Sequence, residues 1–188
     1  MSTVLTRIVL ICTVFIALAS SDAAKSETGA WSQSVNGVQG RLITTEDQKF
    51  NGTRMVAVYL ELRNVSDIGN PIEMYFDPTH VIGCELLDAN DKRVAITGLP
   101  ADIISPSPYW LTLPHDSSLR FRISVTGYGV PKDAGSLVQM ECGDWLIKKD
   151  DRGEYALEVT LVARPTREDK EPRAWNGTLK MPKVAIPH

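Results

Sequence analysis

Few residues in this chain could do chemistry, and their spacing argues against most of it. The histidines are His80, His115 and His188. Copper on a β-sandwich needs two histidines and a cysteine, with a histidine a few residues after the cysteine; Cys142 is followed by none until His188. A zinc set drawn from His80, Cys84, His115 and Cys142 has wide spacing that no zinc motif shares. There is no G-x-S-x-G elbow, and Cys142 with His115 is only a nominal nucleophile–base pair. Asp150 and Asp151 fall in a polar turn, where carboxylates are solvated rather than poised for proton transfer. Asp88-Ala89-Asn90-Asp91 lacks the glycine and distal glutamate of a calcium loop. No catalytic, cofactor-binding or metal-ligating residue is therefore expected.

Two kinds of residue remain as candidates for binding. Tyr109, Trp110 and Tyr128 lie in or beside loops and would make an aromatic platform for a sugar or peptide, unless Trp110, like Trp145, fills the core. Arg120 and Arg122 alternate on one strand and could grip a carboxylate or phosphate, although a solvated outer face is the commoner use of such a pair. Cys84 and Cys142 either bridge or stay as small core thiols. Spacing leaves both open, because a bridge requires α-carbons within about 7 Å.

The start of the chain describes a destination. Arg7 precedes the apolar run Ile8 to Leu18, and Ala17-Leu18-Ala19 and Ser21-Asp22-Ala23 supply small-x-small cleavage sites. Residues 1–23 are thus expected to be a helical secretory signal, removed between Ser20 and Lys25 and too short to span a bilayer. Residues 24–188 are expected to form one domain, secreted or periplasmic and with no stable membrane span. The formal net charge of −3, with cations scattered along the sequence, makes nucleic acid an unlikely partner.

The elements that must position these residues read as strands. In Arg54 to Arg63, Val56, Val58, Leu60 and Leu62 share one face, while Met55, Ala57, Tyr59 and Glu61 share the other. Ser118 to Val125 turns Leu119, Phe121 and Ile123 inward, and Tyr155 to Ala163 does the same with Leu157, Val159 and Leu161. A hairpin is expected about Asp88 to Asp91, and irregular loops over 98–108, 127–131 and 164–173. The pattern predicts an all-β, two-sheet sandwich of eight or nine strands.

Three segments together resemble a known family: Leu60-Glu61-Leu62-Arg63-Asn64-Val65-Ser66, the Asp88 to Lys92 turn, and Asp151-Arg152-Gly153-Glu154-Tyr155. Their order is similar to that of bacterial immunoglobulin-like domains, and more remotely to the bacillus-type proteinase-inhibitor domain. Trp31 and Val35-Asn36-Gly37 resemble the start of secreted domains of planctomycete-type bacteria. The resemblance makes Tyr155 the corner tyrosine, with its hydroxyl bonded to backbone within Trp145 to Asp151. Leu157 stands where antibody domains carry a cysteine. It implies a non-catalytic module that binds a protein or cell-envelope component. The alternatives are a protease inhibitor acting through the proline-rich loop at 98–108, and an extracellular carbohydrate-active enzyme or metalloprotein.

Overall fold

The computed structural model describes residues 26–76, 82–98, 109–125, 130, 132, 134–163 and 174–187, without the side chains of Gln48 and Tyr109. The expected signal and its cleavage site lie outside the described residues, as do His80, Tyr128, His188, the loop at 164–173 and all of the proline-rich loop except Gly98.

Every regular element among the described residues is a strand, twelve in all: β1 (Ser26–Thr28), β2 (Val38–Phe50), β3 (Thr53–Asn64), β4 (Ile72–Phe76), β5 (Ile82–Asp88), β6 (Tyr109–Leu113), β7 (Ser118–Arg122), β8 (Ser136–Met140), β9 (Gly143–Ile147), β10 (Tyr155–Ala163), β11 (Gly177–Lys180) and β12 (Val184–Ala185). No helix among them is long and apolar enough to cross a membrane.

The largest sheet is built on β3. Its hairpin with β2 turns through Asn51 and Gly52 at φ 51° and 79°, the pair of left-handed residues that a tight hairpin favours. The other edge of β3 is shared. β7 pairs antiparallel with Tyr59 to Arg63, β8 pairs parallel with Arg54 to Val56, and β9 folds back on β8. Between these partners the Val58 amide donates to Ser124 Oγ at 3.0 Å, so the ladder's break is satisfied by a side chain.

A second sheet is built the same way on β10. β5 runs along one edge from Tyr155↔Asp88 to Leu161↔Ile82. β11 and β12 divide the other edge. A third, two-stranded sheet pairs β4 with β6, and the Trp175 amide ties it to the β11 segment by donating to Glu73 carbonyl oxygen at 2.6 Å.

One contiguous core joins these sheets. Val56, Val58, Leu60 and Leu62 of β3 meet Leu157, Val159 and Leu161 of β10, together with Trp145 and Trp175. The expected register of both strands holds. Among the described residues, twelve strands in three sheets stand where eight or nine in two were expected, and burial differs along β7. Leu119, Phe121 and Ile123 are only partly buried at the core's margin, because the strand that carries them ends at Arg122 on an edge. The opposite face of β3 is covered as well: Met55 packs with Val130 and Leu137 in a smaller cluster. Cys84 on β5 and Cys142 in the β8–β9 turn form a disulfide across 6.0 Å between α-carbons, which joins the first two sheets.

Candidate functional site

The aromatic candidates resolve onto the β4–β6 ribbon. Its residues alternate as a half-buried strand pair must. Met74, Phe76 and Leu113 are buried, and Phe76 meets Phe121 edge-on with ring centroids 4.9 Å apart. The opposite positions are Glu73, Tyr75, Trp110 and Thr112, which form two cross-strand pairs, Tyr75↔Trp110 and Glu73↔Thr112. Trp110 is 41% exposed. Its ring stands edge-on to Tyr75 at 5.5 Å and 62°, and Thr112 Oγ1 donates to Glu73 Oε1 at 3.4 Å. Two rings beside a carboxylate and a hydroxyl thus share one outward face, held by a ribbon whose other face is locked in the core.

Trp110 therefore does not fill the core. Trp145 does, with its Nε1 donating to Val94 carbonyl oxygen at 3.2 Å. Tyr75 is the member that the aromatic reading missed. The signal was present: if Ile72, Met74 and Phe76 turn inward, Glu73 and Tyr75 must turn out.

The arginine pair lies elsewhere and is engaged. On the outer face of the β2–β3–β7 ladder, Arg41, Glu61 and Arg120 sit in one row. Glu61 Oε2 accepts from Arg41 Nε at 2.8 Å and Arg120 Nη2 at 3.3 Å. Burial pushes the Glu61 carboxyl upward, but the two guanidiniums outweigh it and hold its pKa below the usual range. Arg122 pairs with Asp47 at 2.9 Å and donates to Ser124 Oγ at 3.0 Å. Arg41 and Arg63 stand 4.4 and 4.1 Å from the Trp31 ring centroid, within cation–π range. This face is cross-braced by ion pairs, with Arg120 still half exposed.

The remaining perturbed groups also answer to structural neighbours. Tyr155 donates its hydroxyl to Asp151 Oδ2 at 2.7 Å, a bond that heads the causes raising its pKa. The acceptor is a carboxylate in the upstream turn, and its other oxygen accepts from the Gly153 amide at 2.8 Å. Burial raises the Asp144 carboxyl, with Gln139 opposing. Cys84 and Cys142 are consumed by their bridge, and His115 lies 3.2 Å from Asp116. No group of three or more histidine, cysteine or acidic side chains among the described residues could hold a metal ion.

No family model, curated protein or solved structure matches this chain.

Proposed function

We propose that the chain is an exported, immunoglobulin-like module that binds a carbohydrate chain, without catalysis, on the outer face of β4–β6. The observation carrying this reading is the outward-facing pair of exposed Trp110 and half-buried Tyr75 beside Glu73 and Thr112. Aromatic faces pack on the apolar C–H surface of a sugar ring, while a carboxylate and a hydroxyl bond its hydroxyls. The buried backing of the ribbon fixes both rings beforehand, which lowers the entropy lost on binding.

Strand pairing supports the immunoglobulin-like part. β3 beside β7, and β5–β10 beside β11 and β12, correspond to the B–E and C–F–G pairings of that sandwich. Tyr155 opens β10 with its hydroxyl bonded into the upstream turn, as in a tyrosine corner, although the acceptor is the Asp151 side chain rather than the expected backbone. The disulfide and the signal-like start support export.

Retention on immobilised polysaccharides, read with Trp110→Ala and Tyr75→Ala, tests the site. Binding should fall sharply in both variants while their melting temperatures stay near wild type. A protein that retains no glycan but inhibits members of a protease panel would support the inhibitor reading instead. N-terminal sequencing of exported protein should find a start between Ser20 and Lys25; an intact chain held in membranes would sink the export claim.

A further inference from the structure

A second site lies at the far end of β3 from Asn64, where the β2–β3 turn approaches the turn after β9. A cavity of about 300 Å³ opens there, and its lining includes Lys49, Arg54, Lys148, Lys149 and Arg152 with a single carboxylate, Asp151. That carboxylate is turned to the Tyr155 hydroxyl and the Gly153 amide. Arg54 shares a long 3.5 Å contact with Glu46. Among the described residues, no carboxylate pairs with Lys49, Lys148, Lys149 or Arg152.

Five cations around one hollow repel one another. The concentration is the more notable in a chain with 23 acidic residues against 20 basic ones. The frame that holds them is stiff. Gly135 presses against the backbone of Ile147 to Lys149, where a Cβ would lie 2.4 Å from Ile147 carbonyl oxygen. The Arg54 amide donates to Gly135 carbonyl oxygen at 2.7 Å. The strand ends that carry the charges are thereby held close together, with the Lys49, Lys148, Lys149 and Arg152 side chains exposed around the hollow.

We propose that this cavity binds a small, multiply charged oxyanion, a phosphate or sulfate group with at least two negative charges. Lysine ammoniums and arginine forks together match the oxygens of such a group. The volume sits at the lower end for ligand sites and suits a compact group rather than a polymer. This site is independent of the β4–β6 ribbon and stands or falls separately from carbohydrate binding there.

The test is isothermal titration with inorganic pyrophosphate at fixed ionic strength. Saturable one-to-one binding is expected. Lys148→Gln with Lys149→Gln should weaken it at least about tenfold, since two charge-assisted contacts to the anion are removed, and Lys49→Gln alone should weaken it less. Lys92→Gln with Arg93→Gln removes the same charge from an exposed hairpin and should leave binding unchanged. Absence of saturable binding, or equal loss in the two double variants, overturns the proposal. Melting temperatures of all variants confirm that each is folded.

Discussion

Asn64 closes the inner end of β3 with its whole side chain. Its amide donates to Asn70 and Leu113 carbonyl oxygens at 3.0 and 3.1 Å, and its Oδ1 accepts from the Ser66 amide and hydroxyl. The Leu60 to Ser66 motif thus has a physical reason: an asparagine that staples a strand end to β6. Asn64→Ala should lower stability by about 1–3 kcal/mol through unpaired buried groups, measured by urea unfolding; Asn64→Asp should recover only the Ser66 half. Glu61 offers a pH test. Its folded pKa lies below the unfolded one, so its stabilising contribution is present above the unfolded value of about 4.3. It is lost as pH falls through the folded value. Glu61→Gln should therefore destabilise at neutral pH and show a flatter loss in acid. Parallel decline of wild type and variant as pH falls below the unfolded value would refute this role for Glu61.

At the scale of elements, the strands with strict alternation were legible and β2 was not. Its inward row is Val38, Gly40, Leu42 and Thr44, and the glycine and threonine break the apolar pattern. The reason is tertiary. A Cβ at Gly40 would lie 2.8 Å from the Leu179 side chain of β11, and Thr44 Oγ1 donates to Ala185 carbonyl oxygen of β12 at 2.7 Å. The parallel β3–β8 junction was equally invisible, since no local pattern specifies a partner 82 residues away in register Arg54↔Ser136. Gly135 governs that junction. Gly135→Ala places a methyl against the backbone of Ile147 to Lys149 at φ 94°, so it should destabilise by at least about 1–3 kcal/mol. Hydrogen exchange should show the loss first at Met55 to Ala57. Leu60→Ala, at the centre of β3, should cost about 2–5 kcal/mol.

For the whole molecule, the Cys84–Cys142 bridge is the covalent tie between the sheets built on β3 and β10. It closes a loop with sequence separation 58, and loop-closure entropy puts its effect near 4 kcal/mol, with about 2–4 typical of measured bridges. Cys84→Ala with Cys142→Ala should lower unfolding stability by that amount. Wild type in reductant should follow it, and the variant itself should not respond to reductant. An identical denaturation midpoint for wild type with and without reductant would mean that the bridge contributes nothing.

What the sequence determined by itself was local. Period-two alternation specified an all-β chain and the inward rows of β3 and β10, because side-chain direction along a strand depends only on position parity. The sequence also carries no recognisable metal or nucleophile motif of fixed spacing. The tertiary structure decided everything that joins distant segments: twelve strands in three sheets among the described residues, the disulfide, and the pairing of Tyr75 with Trp110. Lysines and arginines that are scattered along the chain meet around one cavity, at Lys49, Arg54, Lys148, Lys149 and Arg152. Charge proximity is set by which strand ends the sheet brings together, and that is a property of register, not of sequence distance.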